Sequence, residues 1–566
     1  MKRMLMAATV ASLVFHGTVL AAPEEAGTGN SSLPISMDAG AQMNRLHNDM
    51  ERERAAREVF KQREDSKASV EKQQKNEASD ADADVTFQLS KVQVDKSRVL
   101  AAEDVGRITA KYEGTDVSIS QLYDMVEQIN KLYEEQGYIT CRAYLKPQRI
   151  ENGVVLISLL ESSIGQVEIV GNANTDKDYI LDRIPLKKGE ISSINKLNKD
   201  ILRFNSTTDA QLRIALKAGQ EEGTTDYNIQ VWEPKKTGWN IFSDNMGSDS
   251  SGRYRLGLFY TDRSFSGLRD SLSLGTVFSK GTKAFSGSYS YPLGHSGTRL
   301  NLSYSTNRVD QIKNADRQKV VGRAQSYSIG ITQPWIVTDR YRSELSLEYG
   351  HQTSKSDLEI VQSGTKFAIV DDTIVNWTLG LAMTNYGSDS VFYQKHSLTR
   401  GQSNHVQLYV SNNSQDFTLY KLSAFYQKSY ASGNQLSFRA DGQYSFKDNL
   451  ISSRQYSIGG MYSVRGYQES YMSGDGGLNL SAEYTVPLSK DRRLQGFCFL
   501  DYGRVFGKAA EVNGHDRQLY STGIGFKAAI GRDVSGVLTI GVPLKRSFEL
   551  GRVDPVRVNF MVSGQF

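Results

Sequence analysis

The sequence predicts two small α+β modules followed by a transmembrane antiparallel β-barrel. Beyond about residue 237, apolar side chains recur at every second position, as in Leu300, Leu302 and Tyr304, or Leu478, Leu480, Ala482, Tyr484 and Val486. Alternation over strands of about ten residues, one face apolar and the other hydrophilic, is the pattern of a barrel in lipid. Between residues 86 and 233 short strands alternate with helical periodicity instead. The composition agrees: 49 Gly, 29 Tyr and 22 Phe against 10 Pro suit many strands and tight turns. With 39% apolar and 23% charged residues, the chain does not read as a bundle of membrane helices, each of which needs about 20 mostly apolar residues.

Residues 1–22 read as a secretory signal peptide. Lys2 and Arg3 precede an apolar stretch that closes on Val19-Leu20-Ala21-Ala22, small residues of the kind a signal peptidase reads. Residues 23–85 form an N-terminal helix and linker. Met43, Leu46 and Met50 fall at helical spacing, and eight acidic and eight basic side chains lie between His47 and Glu77. By itself such a segment reads as a solvated helix leading into a linker; the sharper alternative is a helix lodged in a water-filled pore.

Residues 86–162 read strand, helix, strand, strand. Ser118 and Gln121 make a capping box, and Leu122, Met125, Val126, Ile129, Leu132 and Tyr133 line one helix face that stops at Gly137. Ile139–Leu145 and Val154–Leu160 pair around Asn152-Gly153, a hairpin signal. Residues 163–234 repeat the scheme with Val167–Val170, a helix carrying Ile194, Leu197, Ile201 and Phe204, then Ala210–Leu216 and Tyr227–Val231.

Residues 235–566 hold the barrel. Strand candidates start near 237, 251, 268, 283, 298, 324, 341, 373, 403, 417, 435, 455, 478, 495, 519, 535 and 556. That is one too many, because bacterial single-chain barrels have even strand numbers. The stretches near 237 and 403 alternate least clearly, so one of them is expected not to span, leaving sixteen strands.

The chemistry-bearing residues are few. Sixty-seven Lys and Arg against 63 Asp and Glu leave +4, too balanced for a nucleic-acid partner. Cys141 and Cys498 are too few for a disulfide-built fold. Seven scattered histidines give no metal-ligand spacing with a cysteine, and no acid/base pair, nucleophile constellation or phosphate loop is present. No metal, cofactor or enzymatic activity is expected. Cys498 is expected to face lipid, and Cys141 to lie in a module strand. The sharpest motif is Val464-Arg465-Gly466-Tyr467, on a long loop, with Phe499-Leu500-Asp501 some way downstream. If Leu500 and Tyr502 meet lipid, Phe499 and Asp501 look inward, where Arg465 could pair with Asp501 in a bidentate way. Spacing alone favours the plainer alternative, an exposed loop arginine and a lumen carboxylate, each bound to water.

The two modules resemble POTRA domains, and Gly137-Tyr138-Ile139-Thr140 with Leu145-Lys146-Pro147-Gln148 is similar to a run in the first of them. Val464-Arg465-Gly466-Tyr467 resembles the VRGY/F loop motif, and Phe499-Leu500-Asp501 the facing F-x-D motif, of the TpsB transporters. These form the haemolysin secretion/activation family (FhaC- and ShlB-like) within the BamA superfamily. The resemblance runs through nearly the whole mature chain and implies two-partner secretion across the outer membrane of a diderm bacterium. Periplasmic POTRA modules would capture the N-terminal secretion domain of a TpsA-type exoprotein (adhesin, haemolysin or contact-dependent toxin), and the barrel would pass it outward. Outer-membrane lipid and, through the terminal Phe566, the barrel-assembly machinery are the further partners implied. The alternative is an assembly or insertion factor for outer-membrane proteins. The resemblance also favours the paired reading of Arg465 and Asp501.

Overall fold

The computed structural model describes residues 38–48, 86–312, 318–407, 410–549 and 551–566. The expected signal peptide and most of the charged N-terminal segment lie outside them. The described chain forms two compact units, one holding the two modules and the other the barrel together with the N-terminal helix.

In the first module Lys91–Val94, Val154–Glu161 and Cys141–Leu145 form a three-stranded sheet in that order. The helix Ile119–Gln136 lies on it, burying Leu122, Met125, Val126, Ile129 and Tyr133. Its capping box is formed: the Ser118 hydroxyl accepts from the Gln121 N–H, and the Gln121 side chain accepts from the Ser118 N–H. Gly137 ends it at φ 84°, a left-handed conformation that glycine adopts without Cβ strain. A second helix, Ala102–Thr109, was not expected; Glu103 and Asp104 in its first turn and buried Val105 and Ile108 were the available signals. Asn152 and Gly153 both have positive φ, as a tight turn requires. They close only the isolated Glu151–Val154 bridge, and residues 146–150 separate this turn from the end of Cys141–Leu145. Cys141 is buried in the strand expected for it.

The second module orders its strands Ser163–Val170, Thr224–Trp232 and Gln211–Ala218, with the helix Ile194–Thr207 burying Leu197, Ile201 and Phe204. The modules meet at a shared helix junction. The Ile194 N–H donates to the Gly137 carbonyl at 2.8 Å, and the Ser193 hydroxyl to the Gln136 carbonyl at 3.0 Å.

The barrel is closed, with sixteen strands from Thr237–Asp244 to Arg557–Gln565. Two expectations about strand identity are corrected. Thr237–Asp244 and Ser390–Gln407, which contains position 403, both belong to the wall. The surplus candidate is the one near 455: Tyr456–Ile458 pairs only with Met472–Gly474, as a small hairpin inside the long loop. Three alternating residues look like the start of a strand in sequence, but the ladder ends there.

The ring closes where Met561–Gln565 pairs with Asn240–Asp244. Trp239 and Phe566 exchange two backbone hydrogen bonds at 2.8 and 2.9 Å. Beyond that short ladder a side chain takes over. The Asn245 amide donates to the Val558 carbonyl at 3.1 Å, and its oxygen accepts from the Phe560 N–H at 3.0 Å.

Candidate functional site: a charged cluster in the barrel lumen

Between Gln435–Ser445 and Gly476–Pro487 the chain makes a loop of residues 446–475 that folds against the inner wall. Its apolar side packs Ile458, Val464, Tyr467 and Met472 against Val505 and Leu519 of the wall. The Tyr467 hydroxyl sits 2.8 Å from the carbonyls of Tyr520 and Lys545 and accepts from the Lys545 N–H at 3.2 Å. Gly466 has φ +93° and runs against Gly541, where a Cβ on Gly541 would stand 2.7 Å from the Gly466 nitrogen. Only a glycine pair permits this approach.

That approach delivers Arg465 to the wall. In Leu494–Phe506 the buried residues include Phe497, Phe499 and Asp501, whereas Cys498 and Leu500 between them point outward, as strand alternation requires. The Arg465 guanidinium binds Asp501 with two prongs, Nε to Oδ2 at 2.8 Å and Nη2 to Oδ1 at 2.9 Å. The Arg465 backbone N–H donates to the same carboxylate at 3.0 Å. Its carbon lies 3.6 Å from the centre of the Phe499 ring, a stacking attraction that strengthens where water is excluded. All six residues expected to form the site, Val464, Arg465, Gly466, Tyr467, Phe499 and Asp501, are thus brought to one patch of the inner wall, and the plainer alternative of two separately hydrated charges is not what the geometry gives.

Three further residues complete it. Nη1 of Arg465 binds Glu483 Oε2 at 2.7 Å, and Lys527 Nζ binds Glu483 Oε1 at 2.7 Å. Ser481 accepts from Arg465 Nη2 at 3.0 Å and donates to Asp501 at 2.7 Å. The four charged side chains are at most 7% exposed, and two cations against two carboxylates leave the cluster neutral. Burying one such charge alone would cost several kcal/mol, so neutrality is what makes it tolerable. Glu483 and Lys527 were missed because a lumen-facing acid and base look like ordinary pore lining. Their one signal was inward parity on the two strands flanking Asp501. Phe497 and Phe499 fit because Gly525 and Gly523 face them: a Cβ would meet the rings at 2.1 and 2.5 Å respectively.

A second element in the lumen is the helix of residues 39–48. Ala39 and Met43 pack with Val309 and Ala324 of the inner wall. Asp38, fully buried, accepts from the Ser354 hydroxyl of the wall at 2.7 Å, from the Ser452 hydroxyl of the loop at 2.5 Å and from the Gly40 N–H at 2.7 Å. Asn44 donates to the Ser453 carbonyl at 2.9 Å. This is the lumen position that the sharper reading of the segment required; the stretch beyond residue 48 lies outside the described residues.

A family model described as haemolysin secretion/activation protein ShlB/FhaC/HecB matches residues 223–528, more than half of the chain, and one described as POTRA domain, ShlB-type, matches residues 87–162. The chain is 23% identical over 428 residues to the heme/hemopexin transporter protein HuxB of Haemophilus influenzae, covering 74% of this chain and 76% of the relative. It is 23% identical over 488 residues to the outer membrane transporter CdiB of Escherichia coli O6:K15:H31, covering 81% and 79%. In fold it is similar to CdiB from Escherichia coli, with a TM-score of 0.69 at 20% identity over 95% of this chain and 100% of that one. The barrel, the modules and the docked arginine loop therefore belong to an outer-membrane transporter with its POTRA domains in the periplasm, and the chain is a member of the ShlB/FhaC/HecB family, the TpsB transporters of two-partner secretion.

Proposed function

We propose that the modules capture the secretion domain of an unfolded exoprotein in the periplasm and that the barrel then conducts this chain outward. The observation that carries the reading is the double occupancy of the lumen: residues 39–48 and the Arg465 loop both fill it and touch each other through Ser452 and Asp38. A pore built for small solutes gains nothing from two removable polar inserts; a pore that must open for a polypeptide and stay shut otherwise does. Capture falls to the modules because each sheet has an edge strand, Cys141–Leu145 in the first and Gln211–Ala218 in the second. The backbone of these strands at Ala143 and Leu212 is held by the side-chain amides of Asn130 and Asn205; an extended segment that displaces those amides can add as another strand. Folding of the emerging chain outside would supply direction. No catalytic step is proposed.

The test is deletion of the gene, with proteins of the culture medium compared before and after. Loss of one large exoprotein that binds a soluble 86–233 fragment supports the reading. An unchanged medium together with defective insertion of other outer-membrane proteins refutes it in favour of an assembly factor.

A further inference from the structure

The outer face of the barrel carries a row of like charges. Lys283 stands opposite Arg308, Arg308 opposite Arg323, and Arg323 opposite Lys355, on four adjacent strands. All four point outward. Lys283 shares its strand face with exposed Phe285, Arg308 with Tyr304, Arg323 with Tyr327, and Lys355 with Leu347, while Ala284, Asn307, Ala324 and Ser354 beside them are buried. Like charges directly opposite one another weaken an antiparallel pair. Arg308 has Asp310 at 3.3 Å and Lys355 has Asp371 at 3.2 Å, both pairs well exposed, and such pairs neutralise weakly. Lys283 and Arg323 have no carboxylate partner among the described residues.

The height of the row bears on what neutralises it. The chain enters the first strand from the periplasmic modules, so Lys283, next to the second outward turn, and Arg308, near the end of Thr298–Asp310, lie toward the cell exterior. Four residues below the row, Tyr304, Tyr327 and His351 stand in register, and the Tyr327 and His351 rings stack at 4.7 Å. That is an aromatic girdle of the kind that marks the lipid boundary. Four residues of a tilted strand rise about 10 Å above it, into the headgroup layer. Four neighbouring strands spread the charges over about 14 Å, too wide for one phosphate.

We propose that this row binds the phosphates of the outer leaflet's phosphorylated glycolipid, one disaccharide headgroup with two phosphates lying across the four strands. The bound lipid then supplies the counter-charge that the wall lacks, and fixes the barrel's depth on this side.

The experiment uses the full chain in neutral detergent, with lipid binding followed by native mass spectrometry. The probes are bisphosphorylated lipid A, its dephosphorylated form, phosphatidylglycerol and inorganic phosphate. Bisphosphorylated lipid A is retained best. Lys283→Gln, Arg308→Gln, Arg323→Gln and Lys355→Gln each weaken it roughly fivefold, the effect of about one surface cation near anionic lipid. Lys490→Gln with Arg493→Gln, on the opposite rim, leaves it unchanged. Arg323→Glu controls for folding: it puts a carboxylate between Arg308 and Lys355, raises the unfolding temperature without lipid and loses lipid A. Equal retention of any other probe, undiminished binding when Lys283, Arg308, Arg323 and Lys355 are all replaced by Gln in one chain, or a lower lipid-free unfolding temperature for Arg323→Glu overturns the proposal.

Discussion

Removing Arg465 strands a buried carboxylate. Its Nε and Nη2 hold Asp501 at 2.8 and 2.9 Å, and both side chains are at most 1% exposed. Breaking a buried pair by deleting one partner costs about 3–5 kcal/mol, and the lost stack on Phe499 at 3.6 Å pushes Arg465→Ala toward the upper end. Asp501→Ala costs less, because Arg465 keeps Glu483 at 2.7 Å. At a factor of ten per 1.4 kcal/mol, about 3 kcal/mol raises the population of undocked loop more than a hundredfold. Limited proteolysis in detergent reads that population when reclosing outpaces cleavage. Arg465→Ala is expected to be cut at least about a hundred times faster, with Asp501→Ala between it and wild type and Arg465→Lys poorly rescued, since an ammonium lacks the planar fork. Secretion falls in the same order while the barrel stays inserted. The double variant decides the matter: if its effect equals the sum of the two single free energies, the residues are uncoupled and the loop does not dock through them.

Deleting residues 39–63 is expected to raise single-channel conductance in planar bilayers, and Asp38→Ala, which frees Ser354 and Ser452, should give intermittent openings; unchanged conductance in both rules out a plug. Gly523→Ala puts a Cβ 2.5 Å from the Phe499 ring and 2.1 Å from the Ile540 carbonyl, so its heat-modifiability transition should drop, overpacking typically costing about 1–3 kcal/mol. Burial and the neighbouring Glu161 carboxylate push the Cys141 thiol from 9.0 up to about 11, and burial with a bond to Glu161 raises Tyr133 too. The unfolded thiol ionises first, so the 86–233 fragment should lose stability as pH rises from about 9 to 11. Urea midpoints across that range check it, and Cys141→Ala should flatten the decline.

Much of this arrangement was legible because β-barrels repeat one rule. Parity around Leu500 put Phe499 and Asp501 inside, and that inference needed no long-range information. The capping box at Ser118 and the stop at Gly137 were local for the same reason. What parity cannot give is which lumen residues meet. Glu483 and Lys527 lie 44 positions apart and are joined only by the register of three strands, which no single strand encodes. The hairpin at Tyr456–Ile458 misled because a strand is defined by its partner's length, and Met472–Gly474 offers three residues. The helix contact of Asp38 with Ser354 and Ser452 was beyond reach for a further reason: serines in a polar wall are unremarkable until something is seated on them.

Closure of the ring rests on residues 561–566. Until Phe566 meets Trp239 and Met561–Gln565 meets Asn240–Asp244, a sixteen-strand sheet carries two bare edges that lipid cannot satisfy. Even after closure, the seam side of Val558 and Phe560 is held by side chains, the Asn245 amide on both and Arg253 on the Val558 carbonyl, in place of a length of backbone. The seam is therefore a short fastening, and a chain lacking residues 561–566 would leave a sheet that cannot become a cylinder.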